Sequence, residues 1–254
     1  MAALRLVIVS LLVSSAASAL TPTAQDRHVT GSHYLYSAPL LVFAETVAAP
    51  DYGTFVAETD GFPPTSPPPF PPFSGPAIVT QDSRIEAEAL HASGTSLAEP
   101  GNPVGDGHVV ESESLFSVDF TLDAGGPYTT TGQIDLAVID CAGDAAGFVR
   151  LIGPGGVLAE VANQVFSNGS VSLPLESTLV LEPGSYTLEA RAWTVGEGGD
   201  GPHAPPSCPG EVNARFEVDF GPTPPVVPAL PPAALSLLGV VLLGAARAAS
   251  RRAS

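Results

Sequence analysis

The chain has 254 residues and a formal net charge of −17, from 26 acidic residues against nine arginines and no lysine. That balance excludes nucleic acid and anionic membrane surfaces as natural partners, and leaves cations and neutral polysaccharide. The length, once both termini are set aside, suits one sizeable β domain or two small ones.

The first 19 residues, MAALRLVIVSLLVSSAASA, carry one positive charge at Arg5, an apolar run from Leu6 to Val13, and small residues at Ala17 and Ala19. This is the pattern of a secretory signal peptide (1–19) cleaved after Ala19. Its apolar core is too short to cross a bilayer with ease, which argues against retention as an anchor. All 26 acidic residues fall between positions 20 and 227, against five arginines there, so the exported portion is expected to carry a charge of −21. High-GC coding would produce the missing lysine and the abundant alanine, glycine and proline without selection on function, and a halophilic habitat is the alternative reading of the acidity.

Residues 20–60 contain HVTGSHYLYSAPLLVF and YGTFVAE, which read as early strands that pair with each other. Residues 61–76, GFPPTSPPPFPPFSGP, are so rich in proline that they predict an extended loop or linker without backbone donors. SRIEAEALHASG is expected to be a further strand, because no cap precedes a 3.6-residue apolar stripe there.

Residues 77–221 predict the main domain. SLFSVDFTL sets Phe116, Val118, Phe120 and Leu122 on one side, GQIDLAV sets Ile134, Leu136 and Val138, SYTLEARAW sets Tyr186, Leu188, Ala190 and Ala192, and EVNARFEVDF sets Val212, Ala214, Phe216, Val218 and Phe220. Period-2 alternation of this kind belongs to half-buried antiparallel strands. Turn signals separate the runs: DAGGP at 123–127, IGPGG at 152–156, SNGS at 167–170 and LEPGS at 181–185. The expected fold is therefore all-β, an antiparallel sandwich of jelly-roll or immunoglobulin-like type.

Only two cysteines occur, Cys141 and Cys208. An even pair in an exported segment predicts a structural disulfide, contributing about 4 kcal/mol in the chain-entropy model. No GxSxG, HExxH or phosphate loop is present, the five histidines are scattered, and no catalytic residue is assigned. Glu86 with Glu88, and Glu111 with Glu113, lie two apart on expected strands and share a face, as solvated carboxylates do. No cofactor is expected, with calcium as the one alternative: the stretch 99–113 offers Asp106, Glu111 and Glu113 to a cation that takes six to eight oxygens, without an EF-hand or RTX spacing. For a saccharide, the stacking candidates are Trp193 and the tyrosines 34, 36, 52, 128 and 186. Trp193 falls on the polar side of its strand, and burial against a neighbouring loop is favoured over exposure. Asn168-Gly169-Ser170 reads as a hairpin turn.

The chain ends in a proline-rich stalk (222–232), an apolar run (233–246) and a tail (247–254) with Arg247, Arg251 and Arg252. The run is short of a comfortable span, and the arginines after it would snorkel and place the tail in the cytoplasm. A short proline motif, an apolar helix and a final arginine cluster together resemble the PEP-CTERM class of bacterial sorting signals. Here the motif is Val227, Pro228, Ala229, Leu230, Pro231 and Pro232, without the glutamate of Pro-Glu-Pro and closer to the VP-type variants. The resemblance implies an exosortase-like processing protease as partner, a transient membrane attachment through the C-terminal helix, and residence at the cell surface or in an extracellular matrix alongside exopolysaccharide. The alternatives are a plain single-span tail anchor and, for the domain itself, a carbohydrate-binding or calcium-binding module.

Overall fold

The computed structural model describes residues 19–35, 40–60, 75–100, 108–198 and 210–224. These form twelve strands and, among the described residues, no helix: β1 Leu20–Leu35, β2 Leu40–Ala48, β3 Phe55–Thr59, β4 Ala77–Ile85, β5 Leu90–Ala98, β6 His108–Leu122, β7 Gly126–Ile139, β8 Ala142–Gly153, β9 Gly156–Phe166, β10 Gly169–Leu181, β11 Gly184–Gly198 and β12 Glu211–Pro222. They build two six-stranded antiparallel sheets, the first in the order β2-β1-β6-β11-β8-β9 and the second in the order β10-β7-β12-β5-β4-β3. The first compact unit of the chain ends at Thr223.

The alternation explains why two sheets suffice. Phe116, Val118 and Phe120 of β6, Ile134 and Leu136 of β7, Leu188 and Ala190 of β11, and Phe216, Val218 and Phe220 of β12 are all buried, as their period-2 spacing predicts. Side chains at every second position fill the space between the sheets, and the intervening polar ones face outward. Aromatic rings anchor one end of this core: Phe120 lies 5.9 Å from Tyr186 and 5.1 Å from Phe220, and Tyr128 stacks on Phe220 at 5.3 Å. Tyr186 also donates its hydroxyl to the Glu182 carbonyl at 2.7 Å, which ties the LEPGS turn to the strand it starts. Aromatic pairs in such geometries add to the burial of their own area.

Polar side chains are buried in the interior as well. Ser96, Ser112 and Thr194 are buried and share hydrogen bonds of 2.8 to 3.0 Å, and Gln81 donates to the Leu115 carbonyl at 2.7 Å. Arg27, 2% exposed, donates to Gln25 Oε1 at 2.7 Å, to Ser83 Oγ at 3.1 Å and to the Asp51 carbonyl, with Phe55 5.7 Å from its guanidinium. Burial lowers the Arg27 pKa below its ordinary value, against the opposing attraction of Asp51.

Several sequence expectations are corrected here. The early strands do not stand apart from a sandwich over 77–221, because β1 pairs with β6 from Leu20 to Leu35 and β3 pairs with β4, so the sandwich spans both regions. Nor do HVTGSHYLYSAPLLVF and YGTFVAE pair with each other: the first folds on itself as the β1–β2 hairpin, and the second supplies β3 of the opposite sheet. SRIEAEALHASG is not one strand, because the chain turns at residues 86–89 and returns as β5. Glu86 and Glu88 therefore lie in a turn. The turn at Asn168-Gly169 is not a hairpin either: β9 lies in the first sheet and β10 in the second, and Ser167, at φ 62°, makes the arch between them. A two-residue connection between strands of different sheets looks like a hairpin in sequence, and only long-range pairing separates the two. The Pro-rich segment falls outside the described residues over 61–74.

Candidate functional site

The outer face of the first sheet gathers the chemistry. β11 turns Tyr186, Leu188, Ala190 and Ala192 inward, so Glu189, Arg191 and Trp193 must face out. Pairing then fixes their neighbours. Trp193 stands opposite Glu113 of β6 and Ala146 of β8, while Glu113 stands opposite Thr30 of β1 and Ala146 opposite Gln164 of β9. The adjacent row runs His28, Leu115, Arg191, Phe148 and Ala162.

Trp193 is half-buried and lies on the outer face; most of the loops against which its burial was expected, residues 61–74 and 199–209, fall outside the described residues. Its indole Nε1 donates to Glu111 Oε1 at 2.8 Å. Arg191 holds its guanidinium 5.6 Å from the Trp193 ring centre and its Nε 2.5 Å from Glu113 Oε1. That Nε–H is not aimed along the line between the two atoms, so the contact is ionic rather than a well-formed hydrogen bond. His28 brings Nδ1 to 2.7 Å from Asp26 Oδ1 and Nε2 to 3.9 Å from Glu113 Oε2. One strand over, Arg150 Nε donates to Glu189 Oε2 at 2.5 Å and lies 4.6 Å from the Phe148 ring centre.

Protonation follows from this packing. The Glu113 carboxylate, joined by Asp26, raises His28 above the ordinary 6.5, against the pull of burial. His28 first, then Arg191, hold Glu113 below the ordinary 4.5, again against burial. A carboxyl held ionised in this way is the opposite of what a general acid requires. Glu111 and Glu113 are thus engaged as acceptors that fix an indole and two cations.

The other site residues of the sequence analysis divide clearly. Asp106 lies outside the described residues, so the proposed calcium oxygens are not seen together. Glu111 and Glu113 belong to strand β6 rather than to a loop, and no group of three or more His, Cys, Asp or Glu placed to hold a metal occurs among the described residues. Tyr128 and Tyr186 are buried in the core and so are not stacking candidates, whereas Tyr52 is 39% exposed. Cys141 is half-buried against the core and is not a free thiol, while Cys208 falls outside the described residues. Ala17, the motif 227–232 and the arginines 247, 251 and 252 also fall outside them; Ala19 is exposed, one residue ahead of β1. Among the described residues no helix is long and apolar enough to cross a membrane.

Sequence reasoning missed Arg191, His28 and Phe148. Arg191 carried a signal in its alternation with Trp193 along one strand. His28 carried none, since it lies 85 positions before Glu113 and reaches it only because β1 pairs with β6.

No protein-family model and no curated protein matches the chain. Among solved structures it is similar to a carbohydrate binding module from Cellvibrio mixtus lichenase 5A, described in complex with cellotriose, at 11% identity over 67% of this chain and 88% of that one, with a TM-score of 0.20. It is also similar to a structure of the infectious bursal disease virus Gx strain, at 12% identity over 91% and 71% of the two chains and a TM-score of 0.21. An Arthrobacter globiformis T6 isomalto-dextranase complexed with panose follows at 11% identity over 78% of this chain and 30% of that one, with a TM-score of 0.19. Scores of this size carry no argument about what this chain binds.

Proposed function

We propose that the chain is an exported, non-catalytic β-sandwich that holds a neutral polysaccharide of the cell surface or matrix against the outer face of its first sheet. The observation that carries the reading is the Trp193–Glu111 bond: an aromatic ring on an outward sheet face whose only polar atom is already tied to a neighbouring strand. A pyranose has an apolar C–H face and a rim of hydroxyls. The ring takes the first, and the fixed carboxylates and guanidinium around it take the second. A charge of −17 favours a neutral polymer over an anionic one. The experiment is retention on immobilised neutral glucans and galactans, comparing the natural chain with Trp193→Ala; equal retention of the two overturns the reading.

The ends of the chain support the address. The signal pattern at Ala17 and Ala19 and the layout of Val227–Pro232, the apolar run and the arginines 247, 251 and 252 favour export followed by exosortase-like processing. The pairing of Cys141 with Cys208 belongs to the same reading, since the chain holds no other cysteine and Cys141 is not free. Intact mass of the natively expressed protein tests it: a mature chain lacking the first 19 residues and everything after about Val227 supports sorting, and retention of the arginine tail rejects it.

A further inference from the structure

The four sheet edges are unequal. β10 carries Pro174 and Glu176 within its length, β3 has only five residues, and β2 turns Glu45 to accept from the buried Thr59 hydroxyl of the opposite sheet at 2.5 Å. Proline, shortness and an inward charge are the usual means of protecting an edge. β9 has none of these. Among the described residues it pairs only with β8, runs for 11 residues as GVLAEVANQVF, and contains one charged residue, Glu160, in a chain of net charge −17. Its one irregularity is a bulge near its start at Leu158, which is skipped between the Ala159–Leu151 and Val157–Ile152 pairs, so the regular edge runs from Ala159 to Phe166. Val157, Leu158 and Phe166 on it are 53%, 39% and 63% exposed.

We infer that β9 is a self-association edge, on which a second copy of this chain adds its own β9 antiparallel across a two-fold axis. The free backbone groups demand a strand, and the charge-poor strip demands a charge-poor partner. The chain's own β9 meets both conditions and complements itself. With the axis through Ala162, Glu160 comes opposite Gln164 of the second copy, and Phe166 comes to the bulged, apolar start of the strand at Val157 and Leu158. The two Glu160 carboxylates then stand about four residues, or roughly 13 Å, apart along the strands, beyond the screening length at physiological salt. A register centred on Val161 would instead leave Phe166 facing Gly156. An isologous contact of this kind closes at two copies. It also joins the two first sheets, so both Trp193 faces lie on one side, five strand spacings or about 24 Å apart across the strands and four residues or roughly 13 Å apart along them. Two sites on one body raise avidity for a polymer without any new contact.

The test is sedimentation velocity of the full chain in detergent, as a function of concentration and salt, with the variants Ala162→Lys, Ala162→Asp and, on the guarded edge, Val180→Lys. The natural chain and Val180→Lys are expected to dimerise, more tightly as salt screens their negative charge. Ala162→Lys and Ala162→Asp, which set like charges face to face, are expected to weaken association at least tenfold, and an equimolar mixture of the two is expected to restore a mixed dimer. Restoration in the mixture also shows that each variant is folded. A natural chain that stays monomeric up to about 100 µM, where contacts of useful strength are saturated, overturns the inference, as does an Ala162→Lys variant that dimerises like the natural chain.

Discussion

Trp193 donates its indole N–H to Glu111 across the β6–β11 pairing, although the residue directly opposite it is Glu113. The bond is diagonal, and it leaves Glu113 to Arg191 and His28. Two carboxylates spaced two residues apart on one strand thereby hold three different partners from two neighbouring strands, and the outer face acquires a fixed geometry.

If that geometry exists to present the ring, then Trp193→Ala should weaken polysaccharide retention by about 2 kcal/mol, close to 30-fold, as removal of a central aromatic contact does. Trp193→Phe should retain part of the binding. Because Trp193 is only half-buried and outside the core, the thermal midpoint of either variant should stay close to that of the natural chain. Affinity electrophoresis with a parallel melting curve checks both.

The His28–Glu113 contact makes stability depend on pH at two ends. His28 has a raised pKa, so its contribution is fully present below 6.5 and is lost as pH rises through its folded value. Glu113 has a lowered pKa, so its contribution is present above 4.5 and is lost as pH falls through its folded value. The pair should support the fold best between about pH 4.5 and 6.5. In His28→Gln, the fall in thermal midpoint of the natural chain from pH 6 to pH 9 should become shallower; an unchanged slope argues against the contact.

Phe120 touches both Tyr186 and Phe220 and is fully buried. Phe120→Ala should destabilise the sandwich by about 3 to 5 kcal/mol, from lost burial together with the cavity left behind. Urea unfolding followed by circular dichroism measures it, and a loss below about 1 kcal/mol would mean that the aromatic end of the core is not what holds the sheets together.

Gly94 on β5 predicts a second core effect, of opposite kind. A Cβ there would stand 2.3 Å from Ser114 Oγ and 2.5 Å from the Phe216 ring. Gly94→Ala should therefore cost about 1 to 3 kcal/mol by overpacking. The same unfolding measurement reads it.

The strands of the core were legible because each face of β6, β7, β11 and β12 repeats with period 2 over a long run, and burial enforces that rhythm. Sheet membership was not legible. Asn168-Gly169 carries the chemistry of a hairpin, and the choice between a hairpin and an arch depends on β9 pairing with β8 rather than with β10. The site was half legible: Trp193, Glu111 and Glu113 stood out by residue type and by the side of the strand they occupy. Their connection to one another, and to His28 and Arg191, comes from register, which no local spacing encodes.

The chain's single tryptophan gives the proposed saccharide contact on the Trp193 face a direct readout. Intrinsic fluorescence of the natural chain, titrated with neutral glucan and galactan oligosaccharides, reports only on Trp193. A saturable change in intensity or emission maximum with at least one of them, reduced in Arg191→Ala, is expected if the face holds a neutral saccharide. Emission that stays constant across the panel, while the protein remains folded, would contradict it.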